Sequence, residues 1–174
     1  MLKIILDFQQ VMTYAVFSRH EDEDSKRNQS WDVDGISGEK HMIGGKLKIT
    51  STAKMELIDI TAELNKIIGS QSISSGILSL FNPHTTAGLT INEGADPDVC
   101  RDIISGLEHI VPRNLNYRHA EGNSPSHLMA LLTGSSLTIH TDNGRLQLGT
   151  WQKVFFCEYD GPRSRSINWK IISD

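Results

Sequence analysis

The chain has 174 residues, 17 of them basic and 21 acidic, for a formal net charge of −4. That length predicts one domain with a core large enough to dispense with disulfide staples. The small acidic balance, with no basic block, lacks the electrostatic footprint of a nucleic-acid binder.

The acidic excess is concentrated at the start, where residues 1–45 hold eight acids and five bases. Within Met1–Tyr14 the apolar Ile4, Ile5, Leu6, Phe8 and Val11 are interrupted by Asp7, Gln9 and Gln10. Such a stretch is too short and too polar to span a bilayer. His20–Arg27 is almost wholly charged, and Asn28–Gly45 is polar and glycine-rich. This composition buries too little apolar surface to offset its ordering entropy. Residues 18–45 therefore read as a loop or tail. Residues 1–45 form an atypical N-terminal extension to a domain over 46–174. Either the extension packs on the domain, or an upstream start codon precedes Met42.

Lys46–Thr52 alternates and predicts a strand. Asp59–Ile68 carries Ile60, Leu64, Ile67 and Ile68 at helical spacing and stops at Gly69. Gly76–Asn82 and Leu89–Asn92 predict strands around the loop Pro83–Gly88. Asp96-Pro97 is a helix start, because Asp caps free amides and Pro fits the first turn. Val99, Ile103, Leu107 and Ile110 then make one apolar face. Ser124-Pro125 repeats that start before a short helix ending near Gly134. Four alternating segments close the chain: Ser136–His140, Arg145–Leu148, Val154–Glu158 and Ser164–Ile171. Helices in the middle and strands at both ends predict an α+β domain with a mainly antiparallel sheet or sandwich and two to three helices.

Cys100 and Cys157 match no metal or redox spacing and read as small buried hydrophobes. Few cysteines and no signal-peptide signature place the chain in the cytoplasm, with no membrane association expected. No nucleophile elbow, P-loop or dinucleotide fingerprint is present.

Three clusters carry candidate chemistry. His84, His119 and His127, of the seven histidines, lie in polar loop-like settings, where binding groups concentrate. Neutral imidazoles suit zinc and similar divalent ions, although this spacing matches no short metal motif, and helix capping or hydrogen bonding is the plain alternative. In the acidic Asn92–Asp98, Asp96 reads as a cap and Asp98 complements the helix dipole. Glu93 has no such structural role and is the preferred general base or outer carboxylate, with an ordinary solvated turn residue as the alternative. In Gly144–Gln152, Arg145 can pair bidentately with phosphate and Trp151 can stack on a ring. A surface arginine and a core tryptophan are the alternatives.

Taken in order, His84-Thr85-Thr86, Ile91-Asn92-Glu93 with Asp96-Pro97, Val111-Pro112, Tyr117 and His119, Glu121-Gly122-Asn123 with His127, Gly144-Arg145-Leu146 and Gly149-Thr150-Trp151-Gln152 resemble the YjbQ-type family of secondary thiamine-phosphate synthases. The similarity covers about residues 46–172, and Gly-Thr-Trp-Gln is its most specific element. The resemblance implies an α+β domain assembled as a homotrimer, with polar residues gathered in a pocket. It also implies weak transfer of a pyrimidine methyl pyrophosphate to a thiazole phosphate, releasing pyrophosphate.

On that reading His84, His119 and His127 hold a divalent ion, zinc or magnesium, and Glu93 and Arg145 act in catalysis. Thr85, Thr86, Asn92, Glu121, Gly122, Asn123, Trp151 and Gln152 contact a small phosphorylated heterocyclic ligand. The long charged start, Lys153 after the Gly-Thr-Trp-Gln segment and His140 depart from the family pattern. Two alternatives stand beside the transferase: a metal-dependent hydrolase of a small phosphorylated or heterocyclic compound, and a non-catalytic trimer that binds a small ligand.

Overall fold

The computed structural model describes residues 42–71 and 73–173. The expected extension over residues 1–45 therefore lies outside the described residues up to position 41.

The chain enters a strand, β1, at Met42–Thr50, four residues before the predicted start. Gly44-Gly45 read as loop by composition, but they fit a close strand contact. β1 pairs with the last strand, β8 (Ser164–Ser173), with Gly45 opposite Trp169. A Cβ on Gly45 would stand 2.8 Å from the Trp169 ring, so the missing side chain is what admits the indole.

β8 lies between β1 and β3 (Ser75–Phe81), followed by β5 (Ser136–Asp142) and the two-residue β6 (Arg145–Leu146), in a five-stranded sheet. The second sheet has three strands, with β7 (Gln152–Glu158) between β2 (Glu56–Asp59) and β4 (Ala87–Glu93). Every pairing is antiparallel. The α+β expectation holds, with two sheets.

β7 explains the layering. Its Val154 and Phe156 join Leu78, Leu80, Ile139, Ile167 and Ile171 of the larger sheet in one core. Its Phe155 and Cys157, with Tyr159 just beyond, belong to a second core with Met129, Ala130, Val111 and the partly buried Leu107 and Cys100. A central strand buried on both faces needs a continuous apolar run rather than alternation. The one exception is Glu158, wholly buried in that run.

Three helices complete the domain. α1 (Thr61–Gly69) buries Leu64 and Ile68 in the first core and stops at the predicted glycine. α2 (Pro97–Ile110) is capped by Asp96, whose carboxylate accepts from the Asp98 amide at 2.9 Å. Its apolar face is less covered than the sequence predicts: no residue of α2 is fully buried, and Ile110 is 66% exposed. α3 (Ser124–Thr133) starts at the predicted Ser-Pro and ends at Gly134. Cys157 is buried as expected, and burial pushes its thiol up to about 12; Cys100 is only half-buried. No helix of the described residues is long and apolar enough to cross a membrane.

Candidate functional site

The loop between β3 and β4 is fixed by Asn82, which is almost fully buried. Its amide nitrogen donates to the carbonyls of His84 (3.1 Å) and Ala87 (2.6 Å), and its Oδ1 accepts from the His84 amide (3.1 Å). A side chain satisfying three backbone groups substitutes for a turn and sets the direction of His84. The imidazole then meets β8, where the Ser166 amide donates to His84 Nε2 at 3.1 Å. The same nitrogen lies 3.1 Å from the Ser166 carbonyl. Nε2 is thus committed to β8, and Nδ1 is the nitrogen left to meet a ligand. Burial and the nearby Arg165 guanidinium lower the His84 pKa, favouring the neutral ring.

Beneath this loop lies a buried ion pair. Arg165 donates from Nε to Glu158 Oε2 and from Nη2 to Oε1, both at 2.7 Å. Glu158 Oε1 also accepts from the Tyr159 and Asp160 amides, and Oε2 from the Ser51 hydroxyl. Burial raises the Glu158 pKa, but the Arg165 and backbone hydrogen bonds outweigh it and hold the carboxyl below its usual range. Arg165 Nη2 donates as well to Thr86 Oγ1 at 2.9 Å. Thr86, expected to contact substrate, is therefore a buried structural residue locked to Arg165; Thr85 is exposed and lines a cleft.

Two neighbouring clefts open beside this loop. The first, about 400 Å³, is lined by Phe81, Asn82, Pro83, His84, Thr85 and residues of α3 including His127 and Leu131. The second, about 460 Å³, is lined by Tyr117, His119, Ser124, His127 and Leu128. His127 belongs to both. Its ring meets that of His119 edge-on, with centroids 5.4 Å apart. α3 is held in place at both ends: Ser126 donates to the Tyr159 carbonyl at 2.7 Å, and the Leu89 amide of β4 donates to the Gly134 carbonyl at 3.0 Å.

The turn before α3 holds the remaining predicted residues of this group. Glu121 lies 3.8 Å from His119 Nε2 and accepts from Asn123 Nδ2 at 3.4 Å. Asn123 also donates to Asp160 at 3.2 Å, while its Oδ1 is buried without a partner. Gly122 has φ +72°, a left-handed conformation that suits glycine.

The other predicted residues stand elsewhere. Asn92 and Glu93 end β4, where Glu93 pairs with Gln152 across the ladder. Gln152 closes the preceding turn by accepting from the Gly149 amide at 2.9 Å, and Trp151 is 64% exposed rather than in the core. The His84 loop precedes the opposite end of β4, which spans about 20 Å over its seven residues. Arg145 is exposed on β6, at the edge of the larger sheet, and lines neither cleft. Lys153 pairs with Asp59 at 3.4 Å.

The expected metal set does not form within one chain. Among the described residues no three histidine, cysteine or carboxylate side chains gather as an ion site. His84 and His119 line different clefts, and His84 has already committed one nitrogen to the backbone. Sequence reasoning also missed Asn82, Glu158 and Arg165. Glu158 had a usable signal, since a charge inside the apolar run Val154–Tyr159 has to be paired.

Two facing antiparallel sheets, with α2 and α3 over the smaller one and a pair of imidazole-lined clefts, define a small α+β domain. Within that class the chain belongs to the YjbQ-like family: the family model described as UPF0047 protein YjbQ-like matches residues 45–174. It is 47% identical over 129 residues to a UPF0047 protein of Methanocaldococcus jannaschii, covering 74% of this chain and 94% of that one. It is 43% identical to YugU of Bacillus subtilis, covering 72% and 96%. A crystal structure of a family member from Clostridium acetobutylicum superimposes with a TM-score of 0.71 at 46% identity, covering 73% of this chain and 98% of the other.

Proposed function

We propose that the chain is a transferase of the thiamine-phosphate synthase type, with its two ring substrates seated in the clefts on either side of His127. The observation that carries this reading is that one imidazole lines both clefts. A reaction joining two heterocycles needs two adjacent apolar seats that meet at one point. In that reaction the thiazole nitrogen donates its electron pair to the pyrimidine methylene carbon. The carbon–oxygen bond breaks, and pyrophosphate leaves with the bonding pair. In this reading the imidazoles of His127 and His119, which line the clefts, donate hydrogen bonds to the departing phosphate oxygens.

A divalent ion, zinc or magnesium, would have to draw ligands from beyond His84, His119 and His127, since no three such side chains gather among the described residues. The same shortage weakens the metal-dependent hydrolase alternative. Binding without turnover has one observation in its favour, because neither cleft is lined by a lysine or arginine.

Turnover decides between them. The chain is incubated with both precursors, with and without Mg²⁺ or Zn²⁺, and thiamine phosphate is measured by fluorescence after alkaline oxidation. Product is expected, and His127→Ala should reduce its rate about 10²–10³-fold, the effect of losing one charge-stabilising donor. Precursor binding without product would leave the binding protein as the answer. Neither binding nor product would end both readings.

A further inference from the structure

The two walls of the first cleft are tied together differently at their two ends. One wall is the loop holding His84, and the other is α3, with His127 near its start. At the far end of α3 the walls are joined by backbone alone. The Leu89 amide donates to the Gly134 carbonyl at 3.0 Å, and the Asn82 amide donates to the Ser135 carbonyl at 2.8 Å. At the His127 end no direct backbone bond joins the walls among the described residues, and Asn123 caps the helix without a side-chain bond.

That end is tied instead through one peptide joint, Tyr159-Asp160, just past β7. From α3 the Ser126 hydroxyl donates to the Tyr159 carbonyl at 2.7 Å, and Asn123 Nδ2 donates to the Asp160 carboxylate at 3.2 Å. Toward the other wall the Tyr159 amide donates to the Thr86 carbonyl at 3.2 Å. Glu158 Oε1 accepts from both amides of the joint, at 3.1 and 2.9 Å, and so fixes its turn. The same carboxylate holds Arg165, which in turn grips Thr86 Oγ1. At the end that carries His127, both walls therefore hang from one buried carboxylate.

The leverage on the imidazole is large. His127 precedes Gly134 by seven residues, about 10 Å along the helix axis. A tilt of about 5° around the Gly134 end would carry His127 by about 1 Å. Misplacing a reacting or orienting group on that scale costs up to about 10²-fold in rate.

We infer that Glu158 is a positioning residue: through the Tyr159-Asp160 joint and Arg165 it sets the separation of the His84 and His127 imidazoles across the first cleft. The chemistry it serves rests on the transferase reading, but the positioning does not.

Replacing Glu158 itself endangers the fold, so the test cuts its two arms. Thr86→Val removes the hydroxyl that Arg165 grips, and Ser126→Ala frees α3 from the Tyr159 carbonyl. Each is made in the full chain with isotope-labelled histidines, and circular dichroism checks the fold. By NMR each change should shift the ring signals of the imidazole on the opposite wall, His127 for Thr86→Val and His84 for Ser126→Ala. Those shifts should exceed the ones at His109 on α2 and His140 on β5. In the thiamine-phosphate assay each change should lower kcat about tenfold or more, with KM within about twofold. The double variant should lose little more than the slower single one, because both arms act through one joint. Thr86→Ser, which keeps the hydroxyl, should retain the parent's kcat. Shifts confined to the altered wall, losses that multiply in the double variant, or a Thr86→Ser chain as slow as Thr86→Val overturn the inference. Cross-cleft shifts in a protein that makes no thiamine phosphate uphold the positioning and remove only the transferase reading.

Discussion

Replacing Arg165 with Met removes one partner of the Glu158 pair and leaves a carboxylate with no exposed surface. Breaking a buried pair in this way costs about 3–5 kcal/mol, because the surviving charge keeps its desolvation cost and loses its counter-charge. For a domain of this size that is roughly a 10–20 °C fall in Tm. Removing both charges should cost far less: Glu158→Met with Arg165→Met restores an apolar strand face, and the two changes should couple by more than about 2 kcal/mol in a double-mutant cycle. The pH dependence adds a sign. Glu158 is held below its usual range, so the pair's stabilisation is complete above the unfolded glutamate pKa, about 4.3, and is lost as pH falls through the lower folded value. In Arg165→Met the buried carboxyl prefers its proton, so the deficit against the parent should be larger at pH 7 than at pH 4.5. Thermal and urea unfolding at both pH values measure this. A loss below about 1 kcal/mol, or a deficit that grows on acidification, would refute the assignment of Glu158 as a buried, Arg165-compensated carboxylate.

Other changes probe single contacts. Gly88→Ala should cost about 1–3 kcal/mol by urea unfolding, since its Cβ would overlap the Thr133 side chain where α3 packs on β4. Asp96→Ala should lower stability by about 1 kcal/mol in the same assay, through loss of the α2 cap, with Asp96→Asn nearly neutral. The His84 ring, followed by NMR, should titrate below 6.5, and Arg165→Met should move that midpoint upward by removing a neighbouring positive charge.

The elements legible from the sequence were those with a local cause. Asp96-Pro97 starts α2 because capping and proline geometry act within four residues, whereas Ser124-Pro125 opens α3 by proline geometry, with Asn123 at the cap making no side-chain bond there. β3, β5 and β8 alternate because each belongs to a sheet with one inner face. β2 is not legible in the sequence because four residues carry no period, and its partner β7 lies about a hundred positions away. The start of β1 is not legible because Gly44-Gly45 read as loop by composition, and the Trp169 ring that makes glycine fit lies opposite in β8. The same distinction divides the site. A polar loop holding His84 was legible, but Thr86 is structural because Arg165, 79 residues later, turns toward it. Residue type marks a side chain as able to bind and says nothing of which way it faces.

Glu93 makes the sharpest case, because its role depends on whether one chain or two form the site. Within one chain it stands at the opposite end of β4 from the His84 loop, about 20 Å along the strand, beyond the reach of a substrate seated beside His127. Glu93→Gln keeps the shape and the half-buried position while removing the charge. If each chain works alone, this change should leave thiamine-phosphate formation within about twofold of the parent. If a neighbouring copy supplies Glu93 as a general base or orienting carboxylate, the rate should fall about 10²-fold or more with the fold and oligomer unchanged. Co-expression then separates the cases: if two copies share a site, Glu93→Gln and His127→Ala chains expressed together would form some sites with both groups intact and recover part of the activity. A Glu93→Gln protein that loses activity and regains none on mixing would place Glu93 in its own chain's site, against the distance along β4.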